Sequence, residues 1–226
     1  MNAARPRPGA VLFDLDGTLV DTAPDLIAAT NRLRLEHDLP PLPYAQVRAV
    51  VSNGGAALVE LALAQRQEID RGAGLQRLLA LYQTNVATES RAFPGLVELV
   101  AALDAQGVGW GVVTNKQRRF AVPLLSQLAL HPRVLVCADD LSACKPDPAP
   151  LLEAARRLAV DPDRCWYVGD HLRDMQAAVN AGMLPVAALY GYLGADERPE
   201  SWPAKLRFTD SESLAAAILA ACGEAA

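Results

Sequence analysis

The sequence predicts an α/β fold, because short continuous apolar runs alternate along the chain with segments of helical periodicity. A run of this kind is typical of a strand buried on both faces of a parallel sheet. Such runs occur at residues 10–13, 108–114, 134–138, 165–169 and 185–190. Helices between them would cover both faces, so we expect a Rossmann-like core of three layers around a mainly parallel sheet.

The helices are predicted from apolar residues that recur three or four positions apart. Residues 22–91 contain no strand-like run but carry three such apolar stripes. These stripes lie at 26–33, 58–65 and 75–82. We therefore expect an all-helical domain at 22–91, inserted after the first strand into a core made of residues 1–21 and 92–226.

The core helices are predicted in the same way. Apolar stripes at 96–103, 120–128 and 151–158 each precede one of the later strands, and an Ala-rich stretch at 213–222 predicts a last helix. Gly107 is a stop signal for the first of these helices.

Length and composition limit the possible classes of protein. The chain has 226 residues, of which 51% are hydrophobic and 21% charged, as in ordinary globular proteins. A domain of about 150 residues is typical, so this length fits one core domain with an inserted lobe. The net charge is −5 and no block of basic residues occurs, so we expect no nucleic-acid partner.

The N-terminus and the cysteines indicate a cytoplasmic location. The apolar run near the N-terminus is too short for a signal peptide or a membrane span, so we expect no membrane partner. The four cysteines form no Cys-x-x-Cys pair, which argues against a zinc cluster or a disulfide framework. The sequence leaves open whether the protein is a monomer or a homodimer.

Two carboxylates follow the first predicted strand, in the sequence Asp14-Leu15-Asp16-Gly17-Thr18. They lie at the carboxyl end of the strand, where open α/β sheets bind ligands. Two nearby carboxylates repel each other unless a cation or a shared proton compensates, and Mg²⁺ is the usual cation where the substrate carries phosphate. Asp14 and Asp16 are therefore candidate catalytic residues and metal ligands.

A second acidic pair follows the run at 165–169. Asp170 and Asp174 are four residues apart, so both can face one point if a helix begins there. Acidic residues at a helix N-terminus are also mildly favoured by the helix dipole, which is the alternative explanation for this pair taken alone. Together with the first pair, the two residues predict a cation site.

Two further segments carry residues suited to phosphate. Thr114 and Asn115 follow a predicted strand, where they could hold a phosphate oxygen or simply cap the next helix. Lys145, in the sequence Cys144-Lys145-Pro146, precedes a predicted helix and could neutralise both a carboxylate cluster and a phosphate.

In this order, the motifs D-x-D-G-T, Thr, Lys-Pro and G-D-x-x-x-D resemble those of the haloacid dehalogenase superfamily. The resemblance spans about Val11 to Tyr190. It implies that Asp14 is the nucleophile that becomes an aspartyl-phosphate, and that Asp16 is the general acid and base. The helical insertion would be the type 1 cap of this superfamily.

The same resemblance implies roles for the remaining motif residues. Thr114 and Lys145 would bind the transferring phosphoryl group. Asp14, the backbone carbonyl of Asp16, and Asp170 would hold Mg²⁺. Asp174 would lie at the metal site and orient Lys145.

The carboxylate at position 16 favours phosphate esters over the halide chemistry of other branches. The chain resembles the phosphoglycolate phosphatase group, and its segments 112–123 and 190–202 are similar to the N-acetylmuramic acid 6-phosphate phosphatases of peptidoglycan recycling. The resemblance implies hydrolysis of this sugar phosphate, a small-molecule ester. A 2-phosphoglycolate phosphatase is the alternative, followed by a phosphosugar mutase and a phosphoacceptor module.

Residues 48–55 are the most site-like part of the helical insertion. Arg48 could bind a substrate carboxylate, Ser52 and Asn53 offer hydrogen bonds, and Gly54 allows close approach of a ligand. A turn between two helices would explain this segment equally well.

Overall fold

The computed structural model describes residues 7–194 and 197–223. The predicted core therefore extends beyond the described residues at both ends. Within these residues the strands are β1 (Ala10–Phe13), β2 (Val20–Asp21), β3 (Arg91–Ala92), β4 (Gly109–Val113), β5 (Val134–Val136), β6 (Cys165–Gly169), β7 (Leu184–Ala188) and β8 (Leu206–Phe208). The helices are α1 (Ala23–Leu35), α2 (Tyr44–Arg48), α3 (Gly54–Ala62), α4 (Arg71–Gln83), α5 (Leu96–Ala105), α6 (Arg118–Gln127), α7 (Ala149–Leu158), α8 (Leu172–Asn180) and α9 (Ser211–Gly223).

The main sheet has six described strands in the order β5-β4-β1-β6-β7-β8, and every pairing is parallel. The predicted mainly parallel sheet is therefore confirmed. β1 is central, and its last residue, Phe13, pairs with Val112 of β4 and Val168 of β6. The carboxyl ends of these three strands consequently lie side by side.

The sheet is covered on both faces, which confirms the three-layer core. Ala10 and Leu12 of β1 pack among residues of α7 and α8, whereas Val11 and Phe13 face the layer that includes α5, α6 and α9. All four side chains are fully buried, as expected for the continuous apolar run of a central parallel strand.

β8 was not expected from the sequence. Its three residues alternate between half-buried and exposed, as suits an edge strand, and so they form no continuous apolar run. β8 pairs with β7 through Val186 and Leu206, and this pairing extends the predicted five strands to six.

Four described helices, α1 to α4, lie between β2 and β3 and form the helical segment. These two strands pair antiparallel, Val20 with Ala92 and Asp21 with Arg91, so the chain enters and leaves the helical segment at one place. Two residues are too few to show the alternation of a strand, which explains why this ribbon was not predicted from the sequence. No helix of the described residues is both long and apolar enough to cross a membrane, and all four cysteines are free thiols.

Candidate active site

The predicted site residues Asp14, Thr114 and Asp170 lie at neighbouring strand ends. Each directly follows one of the three central strands, β1, β4 and β6. All three side chains are buried. Buried polar side chains usually have hydrogen-bond or charge partners. Three of them at one edge of the sheet therefore indicate a functional site and not exposed turns.

Lys145 joins two of the acidic motifs. Its Nζ lies 2.9 Å from Oδ1 of Asp14 and 2.8 Å from Oδ1 of Asp174. Burial alone would lower the pKa of Lys145, but the Asp14 and Asp174 carboxylates outweigh it and raise that pKa. The lysine is therefore a fixed positive charge beside Asp14.

Tyr167, which the sequence analysis did not single out, also holds Lys145. Its hydroxyl accepts a hydrogen bond from Nζ of Lys145 at 2.8 Å and donates to the backbone carbonyl of Val113 at 2.9 Å. The sequence offers one weak indication of this role. Tyr167 lies in a predicted buried strand, and a buried tyrosine hydroxyl usually requires a hydrogen-bond partner.

The carboxylates of Asp14, Asp170 and Asp174 could together hold a metal ion. Each can offer one oxygen such that all three oxygens lie within 4.8 Å of one another, and all three residues are buried. A set of carboxylate oxygens suits a hard divalent cation such as Mg²⁺. Burial of Asp14 raises the pKa of that carboxyl, although Lys145 opposes the shift, so the cluster favours added positive charge.

Gly17 and Gly191 allow the backbone to approach Asp170. Gly17 has a φ of 78°, and a Cβ there would lie 2.2 Å from Oδ2 of Asp170. A Cβ at Gly191 would lie 2.3 Å from Cβ of Asp170. The next residue, Tyr192, donates its backbone N–H to Oδ2 of Asp170 at 2.8 Å. The D-x-D-G motif therefore needs its glycine for close packing as well as for the turn.

Without divalent cations, the stability of the protein should fall as the pH rises. Burial, and then Asp14 and Asp174, raise the pKa of Asp170 from 3.8 to about 7. A carboxyl with a raised pKa favours folding when protonated, so this contribution is complete below about pH 4 and is lost as the pH approaches about 7. Thermal unfolding in EDTA across this range should show the fall.

The Asp170→Asn variant is the control for this pH dependence. It removes the titrating group, so its melting temperature in EDTA should fall less than that of the unsubstituted protein. Added Mg²⁺ should reduce the difference between the two proteins, because a bound cation favours the ionised carboxylate. The same pH dependence in both proteins would contradict the assignment to Asp170.

The Asp16 side chain lies outside the carboxylate cluster. Its Oδ1 accepts hydrogen bonds from Oγ1 of Thr22 at 2.5 Å and from Nζ of Lys116 at 2.8 Å. The Asp16 carboxylate therefore lies near the carboxylate cluster but is not part of it. That the Asp16 backbone carbonyl binds the metal stays a prediction.

Lys116 is a second functional residue that the sequence analysis did not single out. Besides its contact with Asp16, its Nζ lies 4.7 Å from the ring centroid of Tyr82 in α4. Burial would lower the pKa of Lys116, yet the Asp16 carboxylate outweighs burial and the pKa is raised. Lys116 therefore fixes Asp16 by charge and links the core to the helical segment.

Thr114 and Asn115 differ in their contacts. Oγ1 of Thr114 accepts a hydrogen bond from the Lys116 backbone N–H at 3.1 Å. The Asn115 amide donates to the carbonyl of Lys145 at 3.0 Å and accepts from its N–H at 3.1 Å. The side chain of Asn115, expected to bind substrate, is thus occupied in positioning the segment that carries Lys145.

A cavity of about 280 Å³ lies above these residues. Asp14, Asp16, Thr114, Asn115 and Lys116 line it from the core. The helical segment supplies the opposite wall, which is largely apolar. Its residues include Ser52, Gly54, Leu75, Leu78, Leu79 and Tyr82. The cavity therefore brings two carboxylates and a hydroxyl, those of Asp14, Asp16 and Thr114, around one volume.

The structure places Arg48 and Asn53 outside the cavity lining, unlike the expectation that they contact substrate. Nη2 of Arg48 donates to the carbonyl of Gly191 at 3.2 Å, and the guanidinium lies 4.9 Å from the Tyr192 ring centroid. α2 ends at Arg48 and directs its side chain to the loop after β7. Asn53 is exposed, whereas Ser52 and Gly54 do line the cavity.

Comparison with known proteins gives the family. A family model described as haloacid dehalogenase-like hydrolase matches residues 11–188. The chain is 45% identical over 203 residues to the N-acetylmuramic acid 6-phosphate phosphatase of Pseudomonas aeruginosa, which covers 88% of this chain and 90% of that protein. It is also 44% identical over 199 residues to the phosphoglycolate phosphatase of Xanthomonas campestris pv. campestris. That alignment covers 87% of this chain and 90% of the relative.

The fold agrees with these relatives. The crystal structure of a predicted phosphoglycolate phosphatase from Haemophilus somnus has a TM-score of 0.83 and 28% identity, and it covers 92% of this chain and 96% of that one. The family model spans most of the chain and includes every motif at the strand ends. The chain is therefore a member of the haloacid dehalogenase-like hydrolase family.

Proposed function

We propose that the protein is a phosphomonoester hydrolase that forms an aspartyl-phosphate on Asp14 and acts on N-acetylmuramic acid 6-phosphate. One observation supports this proposal above the others. Asp14 and Asp16 both line the cavity between the core and the helical segment, and the buried ammonium of Lys145 lies 2.9 Å from Asp14. A nucleophile, an acid–base group and a fixed cation are the parts that phosphoryl transfer needs.

The reaction follows from the positions of these groups. A carboxylate oxygen of Asp14 attacks phosphorus and forms the P–O bond, while Asp16 donates a proton to the departing sugar oxygen. Asp16, now ionised, takes a proton from water as the water attacks the phosphoryl group. Inorganic phosphate leaves, and Asp14 regains its carboxylate and Asp16 its proton.

The remaining site residues stabilise charge. Lys145 would face the negative charge that spreads over the phosphoryl oxygens, and the Thr114 hydroxyl would bind one of them. Asp14, Asp170 and the backbone carbonyl of Asp16 would hold Mg²⁺, with Asp174 at its edge as the partner of Lys145. When bound, the cation would offset the repulsion of the carboxylates and polarise the phosphoryl oxygens.

The names of the relatives and the shape of the cavity support the sugar phosphate as substrate. An N-acetylmuramic acid 6-phosphate phosphatase is among the relatives with the highest identity. The apolar wall contributed by α4 offers surface to a sugar ring, whereas the two-carbon phosphoglycolate would leave much of it uncovered. Relatives named phosphoglycolate phosphatase keep that acid as the second candidate.

The organisation of the chain is part of the proposal. The segment 22–91 would serve as a cap over the core formed by 1–21 and 92–226, with the β2–β3 ribbon as the place where it can hinge. The free cysteines suit action in the reducing cytoplasm. The protein would act there as a monomer or a homodimer.

Phosphate release from N-acetylmuramic acid 6-phosphate and from 2-phosphoglycolate tests the substrate. Both should be assayed with Mg²⁺ and with EDTA, and compared by kcat/KM. We expect Mg²⁺-dependent release and a preference for the sugar. A preference for phosphoglycolate would favour the second candidate, and isomerised sugar phosphate in place of free phosphate would indicate a mutase.

The Asp16→Asn variant should keep its fold and metal binding but lose about 10²- to 10⁴-fold in kcat, the usual contribution of a general acid or base. Asparagine can still accept from Thr22 and Lys116 but cannot transfer the proton. With p-nitrophenyl phosphate, whose leaving group needs little protonation, the variant should show a burst of nitrophenolate followed by slow turnover. An unchanged kcat would remove Asp16 from the acid–base role.

A further inference from the structure

Arg173, at the start of α8 and next to Asp174, lines the cavity from the core side. Its Nη2 donates to the backbone carbonyl of Ser52 at 2.6 Å, where the core and the helical segment meet at the cavity wall. Its Nε is buried and has no hydrogen-bond partner among the described residues. A buried donor without a partner is costly, so this N–H suits a ligand oxygen.

Arg173 also has no salt-bridge partner in the described part of the chain, although from longer range its charge opposes the rise in pKa of Asp14 and of Asp170. The other cation of the cavity wall, Lys116, is paired with Asp16 at 2.8 Å, and Lys145 beneath it is paired with Asp14 and Asp174. No described carboxylate oxygen forms an ion pair with Arg173. Arg173 therefore presents a guanidinium available to an anion inside the cavity.

We propose that Arg173 determines specificity by binding the carboxylate that the substrate carries in addition to its phosphate. This inference rests on the proposed function, because it requires a phosphate ester of an acid. The planar guanidinium suits a carboxylate, which it can bind through two parallel hydrogen bonds. The role that the sequence suggested for Arg48 thus falls to Arg173.

The phosphate has other partners. Lys145 and Thr114 lie at the strand ends with Asp14, whereas Arg173 reaches from the helix start to the wall formed by Ser52. An anion bound by Arg173 would contact the core and the helical segment together. We therefore expect Arg173 to contact the end of the substrate that is remote from the reacting phosphorus.

The test uses two substrates that differ only in this charge: N-acetylmuramic acid 6-phosphate and the same sugar phosphate with its carboxyl group converted to the primary amide. The unsubstituted enzyme should prefer the acid. In Arg173→Gln, kcat/KM should fall about 10- to 100-fold for the acid, mostly through KM, because a hydrogen bond to a charged group is lost. For the amide the loss should be clearly smaller, because the substitution then removes a hydrogen bond to a neutral oxygen and not an ion pair.

Arg48→Gln is the matched control. Arg48 lies in the helical segment, and its guanidinium donates a hydrogen bond to a backbone carbonyl of the core. Unlike Arg173, Arg48 does not line the cavity. Its ratio of kcat/KM between acid and amide should equal that of the unsubstituted enzyme. Arg173→Lys, which keeps the charge but not the planar fork, should give an intermediate ratio.

Three results would overturn the inference: equal losses of Arg173→Gln on acid and amide, no preference of the unsubstituted enzyme for the acid, or a changed ratio in the Arg48 control. The pair of 2-phosphoglycolate and its amide separates this inference from the proposed function. If the enzyme hydrolyses only that pair and Arg173→Gln abolishes its preference for the acid, the sugar substrate is wrong and the role of Arg173 holds. If neither acid is hydrolysed, both fail.

Discussion

Asp14→Asn is expected to reduce turnover to below about one hundredth of that of the unsubstituted protein, because in the proposed mechanism it removes the covalent nucleophile. The amide cannot form the acyl phosphate, whereas the fold should persist. Oδ1 of Asn can still accept from the backbone N–H of Leu15, as Asp14 does at 2.7 Å. Steady-state phosphate release with Mg²⁺ and saturating substrate measures the effect.

Asp140→Asn is the control for this change. Asp140 forms an ion pair with Arg118, outside the cavity, so its loss also removes a carboxylate contact but should leave kcat within about twofold, as for most changes distant from a site. Residual turnover of Asp14→Asn above about one hundredth would count against Asp14 as the nucleophile.

Lys145→Met should have the second largest effect, because it removes both a catalytic cation and a buried ion-pair partner. The Lys145 side chain is 1% exposed, and its ammonium contacts Asp14 and Asp174. Removal of one partner from a buried pair costs about 3–5 kcal/mol, so we expect a loss of unfolding free energy of this size in EDTA. Activity should fall at least about 100-fold, since Lys145 faces the charge of the transition state.

Divalent cations distinguish this electrostatic effect from a packing defect. Mg²⁺ binding would compensate part of the lost positive charge, so it should raise the melting temperature of Lys145→Met more than that of the unsubstituted protein. A melting temperature of Lys145→Met equal to that of the unsubstituted protein in EDTA would contradict the account, as would an equal response of both proteins to Mg²⁺.

The parts of the site that the sequence predicted are those with a local pattern. Asp14, Thr114 and Asp170 each follow a continuous apolar run, and parallel strands bring their carboxyl ends together at one edge. The fold was predicted for the same reason, since central strands are apolar throughout. β8 and the β2–β3 ribbon escaped prediction because their residues are few and partly exposed.

The residues that the sequence did not reveal have partners far away along the chain. Lys116 is 100 residues from Asp16, and Arg173 is 121 residues from Ser52. No periodicity or spacing records such contacts. Arg48 shows the reverse. Its charge, in a segment that also carries Ser52, Asn53 and Gly54, suggested a contact with a substrate carboxylate, but the direction of its side chain depends on how α2 packs against the loop after β7.

Identification of the phosphorylated residue tests the central claim most directly. Enzyme quenched during turnover of N-acetylmuramic acid 6-phosphate with Mg²⁺ is reduced with borohydride, which converts an aspartyl-phosphate to homoserine, and is then mapped by peptide mass spectrometry. If Asp14 is the nucleophile, we expect homoserine at position 14 only, and none in the absence of substrate or in the Asp14→Asn variant. Turnover accompanied by modification at another residue would contradict it.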